Sequence, residues 1–348
     1  TNPLFVNPEA GELTLFGNSP CLNSGDNAYN TEGFDLRGQV RIQNTTIDMG
    51  AYEWTTGLDP ENRIIYVNAG ASGNDDGTNW TNAFISLQSA LDIAILGDEI
   101  WIAGGTYKPS SAYSLTNTSR NYHFELIEGG KIYGGFAGTE TSVYQRTDYG
   151  FGGTNETILS GDIGIEGDNS DNCYHVIYNL PYSISNSAIL DGVTVSGGNA
   201  NLASDSELKR GGGMYMPQNS PIIRNVTFTG NYGIYGGAVF NMVSSGIYSN
   251  CLFFSNSALY GGASMTYSST ALNFDNCTFY GNTADVHGGG ADNWNSAFSY
   301  NNCIFWGNSS ATGNQIYAYG TSAITLNTSC YSDNDNDIAV ESPASIIT

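Results

Sequence analysis

The segments NVTF, NCLF, NCTF and NCIF decide the fold, and they begin at Asn225, Asn250, Asn276 and Asn302. The steps between them are 25, 26 and 26 residues. A second asparagine follows each segment, and a glycine pair recurs with the same period, at Asn231, Asn256, Asn282 and Asn308 and at Gly236/Gly237, Gly261/Gly262 and Gly288/Gly289. Three markers that share one period predict a solenoid built from stacked coils.

Alternation within NCTF places Cys277 and Phe279 on one face of a strand and Thr278 on the other. We therefore predict an all-β fold, a right-handed single-stranded parallel β-helix, with regular coils of about 26 residues over 211–331. Strands stacked at roughly 4.8 Å would align like residues in the interior. The predicted ladders are Cys251, Cys277, Cys303 and Cys330, and Phe228, Phe253, Phe279 and Phe305.

Each repeated residue type has a structural interpretation. We expect the cysteines to be buried free thiols, because a disulfide between neighbouring coils is awkward in direction. The recurring asparagines are expected at bends, bonding the backbone and the next asparagine rather than a ligand. The glycine pairs permit the positive φ angles that close each coil.

Composition excludes several partners. Ten Lys plus Arg against 33 Asp plus Glu give a formal charge of −23, which repels nucleic acid and anionic lipid headgroups. No apolar run approaches ~20 residues, so direct membrane insertion is not expected. With neither an initiating Met nor a signal peptide, the sequence reads as a mature fragment of an extracellular or cell-surface protein.

Upstream of the repeats, the pattern strand, helix, strand begins at residue 64. We predict a helix near 82–96, with Asn82 as N-cap and Phe84, Leu87, Leu91 and Ala94 on one face. Such a helix would cap the apolar end of a solenoid that runs over 64–348.

Three motifs near the N-terminus carry a family resemblance: SPCLNSGDN at 19–27, DLRGQVR at 35–41 and DMGAYE at 48–53. They resemble the closing, choice-of-anchor Q-like module of large secreted right-handed β-helix proteins of Bacteroidetes type. Asn23 stands where that family has Asp. The stretch from Tyr66 through GDEIWIAGGTYKP is similar to the opening module. The resemblance implies closing coils at 1–55, a linker at 56–63 and a tandem array of units.

The regular coils hold few groups for catalysis. Between Gly211 and Cys330 the ionisable residues other than Cys and Tyr are Arg224, Asp275, Asp285, His287 and Asp292. Asp285 and Asp292 flank one glycine corner and could approach each other, with His287 nearby; a solvated turn is the favoured interpretation. No GxSxG motif or phosphate loop occurs, and no cofactor is required.

Calcium and carbohydrate are the ligands that the sequence suggests. Asp333, Asp335 and Asp337 in DNDND, and Asp162, Glu166, Asp168 and Asp171 in one loop, offer oxygen ligands for Ca²⁺, although hydrated turns are the alternative. Aromatic residues near coil edges could stack on sugar rings, above all Tyr235, Tyr260, Trp294 and Trp306.

The leading functional hypothesis is a non-catalytic module of a tandem-repeat surface protein, acting as a rod, filament subunit or adhesin. Its partners would be neighbouring copies of the repeat or other surface proteins. The alternatives are a polysaccharide-active enzyme, either lyase or glycoside hydrolase, and a glycan-binding module without turnover.

Overall fold

The structure is a computed structural model that describes residues 3, 5–7, 12–15, 19–30, 33–35, 40–42, 46–53, 63–111, 119–202, 204, 207–332 and 336–347. The chain divides into two compact units. The first comprises Thr1–Arg63 and Ile95–Asp98, and the second comprises Ile64–Ala94 and Glu99–Thr348. Of the predicted linker 56–63, only Arg63 lies within the described residues.

The first unit contains an antiparallel hairpin of Phe5–Asn7 with Glu12–Leu15, and a 3-10 helix at Asn27–Tyr29. Carboxylates of the family-like motifs hold its loops together. Asp48 Oδ1 accepts from Asn23 N at 2.7 Å, and Asp35 Oδ2 accepts from Glu53 N at 3.0 Å. The interpretation of 1–55 as closing coils stays a prediction.

The second unit consists of four parallel sheets, which we number in the order in which each coil crosses them. Sheet I contains Ile64–Val67, Glu99–Ala103, Lys131–Phe136, Ile189–Asp191, Ile222–Arg224, Ile247–Ser249, Asn273–Asp275, Ala297–Asn301, Ala323–Asn327 and Ser345–Ile347. Sheet II contains Gly105–Tyr107, Thr157–Ser160, Thr194–Ser196, Thr227–Thr229, Leu252–Phe254, Thr278–Tyr280, Ile304–Trp306 and Cys330–Tyr331.

Sheet III contains Asn199–Ala200, Tyr232–Tyr235, Ser257–Tyr260 and Thr283–His287. Sheet IV contains Ile177–Tyr178, Met214–Pro217, Val239–Met242, Ser264–Tyr267, Ala291–Trp294, Ile316–Tyr319 and Ile338–Val340. Because successive coils pair in parallel, strand upon strand, the predicted all-β fold of a parallel β-helix is confirmed.

Aromatic stacking fills the interior behind sheet II. Phe228, Phe253, Phe279 and Phe305 are fully buried, and successive ring centroids lie 5.0, 4.6 and 4.4 Å apart with nearly parallel planes. Parallel pairing fixes this alignment, since Phe253 is in register with both Phe228 and Phe279. One large apolar side chain per coil thus forms a continuous core.

Cysteine side chains occupy a second interior position. Cys251, Cys277 and Cys303 are buried free thiols at equivalent places in three coils. Cys330 does not belong to this interior row, because it is exposed and pairs in register with Ile304. The expectation for Cys330 was wrong because a shift of one residue turns a strand side chain to the opposite face.

Buried asparagines link the coils along the corner between sheets II and III. Asn231 Nδ2 donates to Asn256 Oδ1 at 3.0 Å, Asn256 Nδ2 donates to Asn282 Oδ1 at 3.0 Å, and Asn282 Nδ2 donates to Asn308 Oδ1 at 2.9 Å. The Nδ2 of Asn282 also donates to Phe253 O at 2.9 Å. These amides satisfy the buried backbone of a bend that has no strand partner.

The α-helix is shorter than predicted and spans Leu87–Ile93. Ser86 is its N-cap, with Oγ accepting from Gln88 N at 3.2 Å. Asn82 is not the cap, because its Oδ1 accepts from Asn74 N in the preceding loop. Leu87 and Ala90 are buried in the core. Two 3-10 helices, Ser119–Asn121 and Val143–Gln145, lie in the irregular loops.

Candidate functional site

A glycine with positive φ turns each regular coil from sheet III to sheet IV. Gly236, Gly261 and Gly288 have φ of 68°, 68° and 69°. A Cβ on Gly261 would lie 2.4 Å from Ser264 O, so a larger residue does not fit. The corner brings the residue directly before the glycine close to the residue four positions after the glycine, as with His287 and Asp292 around Gly288.

Repetition of this corner builds three parallel columns of side chains, which we call the aromatic face. Column one contains Arg210, Tyr235, Tyr260 and His287. Column two contains Tyr178, Tyr215, Phe240, Met265, Asp292 and Tyr317. Column three contains Pro217, Met242, Tyr267, Trp294 and Tyr319.

Column two forms the floor of the aromatic face and is buried from Tyr178 to Asp292, while Tyr317 is half-buried; columns one and three are accessible except at the buried Pro217. Tyr215 is fully buried, whereas Tyr235 and Tyr260 are half-buried and Trp294 is 39% exposed. The rings stack along the columns: Tyr235 and Tyr260 have centroids 5.3 Å apart, and Trp294 and Tyr319 have centroids 5.4 Å apart. The accessible surface is therefore a strip of aligned aromatic rings.

His287 and Asp292 interrupt the aromatic columns with a polar pair. Asp292 is 0% exposed, and its Oδ2 lies 2.5 Å from His287 Nδ1. Burial raises the pKa of Asp292 to about 6, partly opposed by the hydrogen bond and charge of His287. The imidazole packs between two tyrosine rings: its centroid lies 4.8 Å from that of Tyr260 and 4.1 Å from that of Tyr317.

This pair corrects the expectation for the three weak catalytic candidates. Asp285 is exposed on sheet III, whereas Asp292 lies beneath His287 and is no part of a solvated turn. The cause is an irregularity in the strand Thr283–His287, where the register shifts so that His287 lies level with Tyr260. The corner at Gly288 then places Asp292 on the buried column.

A basic segment lies at the other end of column one. Arg210 Nη1 donates to Tyr215 Oη at 3.1 Å, and its Cζ lies 5.3 Å from the centroid of Phe240. Lys209 Nζ is 5.4 Å from the ring centroid of Tyr235. Sequence reasoning missed Arg210, although its place directly before Gly211 is the signal that would have found it.

The two remaining histidines extend the buried column beyond Tyr178. His123 and His175 have ring centroids 5.2 and 5.6 Å from that of Tyr178. Both are buried, and His175 Nδ1 lies 3.0 Å from Gly211 O. Sequence reasoning placed them at ordinary strand positions and missed their proximity to the aromatic face.

The predicted glycan residues lie on two different faces. Tyr235, Tyr260 and Trp294 belong to the aromatic face. Trp306 is on sheet II, in register with Tyr280, where it is 50% exposed. Four residues grouped by sequence reasoning therefore do not form one site.

Three of the aspartates proposed as calcium ligands accept hydrogen bonds from backbone N–H groups of their own loop. Asp162 Oδ2 accepts from Gly167 N, Asp168 Oδ1 from Ser170 N, and Asp171 Oδ2 from Ile165 N. Within the described ranges, no three His, Cys, Asp or Glu side chains come together as a metal site. Asp337 is buried, while Asp333 and Asp335 lie outside those ranges. Calcium binding stays a prediction.

The fold and the face define a parallel β-helix with a strip of aligned aromatic side chains. Among solved structures, pectate lyase Pel9A is similar, at 14% identity and a TM-score of 0.46 over 82% of this chain and 74% of that one. At these values the likeness carries no argument about activity. No protein-family model matches the chain, and no curated protein is significantly similar to it. No helix among the described residues is long and apolar enough to cross a membrane.

Proposed function

We propose that the chain is an extracellular carbohydrate-binding β-helix whose aromatic face holds a polysaccharide. The observation that carries this proposal is the alignment of accessible aromatic rings over successive coils, such as Tyr235 on Tyr260 and Trp294 on Tyr319. Sugar rings present apolar faces that stack on aromatic side chains and hydroxyl groups that bond to phenols.

Periodicity supports a polymer rather than a small molecule. Each coil adds one side chain to each column at the parallel-strand spacing of roughly 4.8 Å. An extended polysaccharide lying along the columns would therefore meet a similar set of contacts at every coil. A single compact ligand would use only part of the strip.

Two tryptophans provide a matched test of this proposal. Trp294→Ala removes a ring from the aromatic face, and Trp306→Ala removes a comparably exposed ring from sheet II. We expect Trp294→Ala to weaken binding on a glycan array and in calorimetry by about 10-fold or more, and Trp306→Ala to have little effect. Equal losses, or no binding by the unmodified chain, would contradict the proposal.

A second candidate function is catalysis on the bound polysaccharide. The specific observation is His287: its Nδ1 is held by buried Asp292, and its Nε2 makes no hydrogen bond within the described part of the chain. An imidazole oriented in this way can accept or donate a proton. His287→Ala should abolish any release of reducing or unsaturated ends while leaving polysaccharide binding measurable.

The rod interpretation concerns the same module on a larger scale. We propose that the unit belongs to a tandem-repeat surface protein, on the strength of the choice-of-anchor Q-like motifs and of interior ladders that hold coils in constant register. Its partners would be adjacent units or other surface proteins. Sequencing through the flanking regions tests this proposal, because tandem copies of the opening and closing motifs are expected there.

A further inference from the structure

We propose that Arg210 forms an anion subsite at one end of the aromatic face, which takes the carboxylate of an acidic sugar. This inference rests on the proposed function, because it names the class of polysaccharide that the face binds.

Arg210 differs from the other arginines of the second unit because, within the described ranges, its side chain pairs with neither a carboxylate nor a carbonyl oxygen. Arg146 and Arg224 both form ion pairs with Asp191, at 3.4 and 2.7 Å. Arg120 donates to the carbonyl oxygens of Asn172 and Asn199. Within the described ranges, Arg210 has no carboxylate within ion-pair distance, although the chain carries 33 Asp and Glu.

The hydrogen bonds of Arg210 to the described residues leave its Nη2 unused. Nη1 donates to Tyr215 Oη at 3.1 Å and contacts Met242 Sδ at 3.8 Å. Nε is buried without a partner, and Nη2 makes no hydrogen bond to the described residues. Since Nε is closed off from solvent, Nη2 is the nitrogen left to donate to an anion, and hydrogen bonds from a charged donor to a carboxylate are short and strong.

The surroundings restrict the guanidinium of Arg210 and add a second positive charge. The rings of Tyr215 and Phe240 lie 5.9 and 5.3 Å from Arg210 Cζ, so packing restricts the guanidinium. Lys209 is adjacent, over Tyr235. Glu207, the nearby acidic group, is engaged with Tyr178 Oη at 3.3 Å.

Position along column one relates the subsite to the rest of the face. Arg210 is followed by Tyr235, Tyr260 and His287, which are three parallel-strand steps. At the usual strand spacing these steps cover roughly 14 Å. A glycan that spans several coils therefore places one sugar at Arg210 and another at His287, so a carboxylate on the first fixes its register on the face.

The test compares an oligogalacturonate with the same oligomer after methyl esterification, which removes the charge and keeps the sugar backbone. We expect calorimetry to show that the charged form binds the unmodified chain about 10- to 100-fold more tightly. Arg210→Gln should remove this preference, and Arg210→Lys should restore it only in part, because an ammonium lacks the planar guanidinium that packs against Tyr215 and Phe240. Lys108→Gln, an equal change of charge at an exposed position directly after the sheet II strand Gly105–Tyr107, should leave it intact.

The outcomes separate this inference from the proposed function. Equal binding of both oligomers to the unmodified chain would overturn the anion subsite and leave the carbohydrate-binding proposal standing. A charge preference that survives in a folded Arg210→Gln variant, as judged by circular dichroism, would also overturn the assignment to Arg210. Failure to bind either oligomer, together with a negative neutral-glycan array, would overturn both.

Discussion

Asp292 places a carboxylate with no access to water against the imidazole of His287, with 2.5 Å between Oδ2 and Nδ1. The second oxygen, Oδ1, is buried and has no partner. A group in this environment resists ionisation, and the chain retains it within a column otherwise made of apolar and phenolic side chains. The ionised carboxylate therefore lowers the free energy of unfolding, and this loss can be measured.

Stability should depend on pH through Asp292. Its pKa is raised from 3.8 in the unfolded reference to about 6 in the folded chain, so the folded state binds this proton more tightly. Ionisation therefore lowers the free energy of unfolding as pH rises from about 4 to about 7, by at most about 3 kcal/mol. Asp292→Asn should remove that loss, as measured by urea unfolding at several pH values.

Asp285→Asn is the control for this pH series, because Asp285 lies exposed in the same coil. Its unfolding curve should follow that of the unmodified chain at each pH. If Asp292→Asn also remains parallel to the unmodified chain between pH 4 and 7, the raised pKa of the buried carboxylate is contradicted.

Gly261→Ala should strongly destabilise the coils, because it combines two costs. The residue has φ of 68°, and a Cβ would lie 2.4 Å from the backbone oxygen of Ser264. Gly281→Ala provides the comparison, since Gly281 has φ of 62° but nothing within 4 Å of an added Cβ. We expect a loss of about 1 kcal/mol at Gly281 and clearly more at Gly261. Similar losses in chemical denaturation would show that the corner tolerates a side chain.

Removal of one amide from the asparagine ladder should leave several buried groups without partners. Asn282 Oδ1 accepts from both the backbone N–H and Nδ2 of Asn256. Asn282→Ala is therefore expected to cost about 3 kcal/mol or more in the free energy of unfolding. Asn327→Ala, at an exposed position, should cost less than about 0.5 kcal/mol. A small loss at Asn282 would mean that the ladder is dispensable.

Thiol reactivity should separate the cysteines by position. Burial raises the pKa of Cys277 well above its ordinary value, and Cys251 and Cys303 are buried beside it. Cys330 is exposed. In the native chain, iodoacetamide should modify Cys330 rapidly and spare these three, as read by mass spectrometry of peptides. Their modification at a comparable rate before unfolding would contradict the ladder.

The sequence predicted the coils because their construction repeats. NCTF carries its own strand, its inward pair and its bend, and the bend asparagines Asn250, Asn276 and Asn302 adopt φ of 54°, 55° and 53° in the structure. Cys330 was misplaced although counting would have excluded it: it follows Cys303 by 27 residues, where the preceding step is 26. Ser329 is the residue that lies 26 positions after Cys303, and its Oγ accepts from Cys303 N.

The candidate site was less predictable because the residue type changes along its columns. The positions before the corner glycines hold a basic residue, two tyrosines and a histidine, namely Arg210, Tyr235, Tyr260 and His287. The pairing of His287 with Asp292 also depends on a local register shift that alternation alone does not reveal. The glycine pairs predicted where each coil turns. They did not predict which residues beside the turn would come into contact.

The corner glycines also govern how this surface can change in length. Duplication of one complete coil would add a further side chain to each column and keep all earlier ones aligned, because parallel pairing transmits the register unchanged. The affinity for a long ligand could thus change stepwise with the number of coils, because each added coil would contact a further part of the polysaccharide.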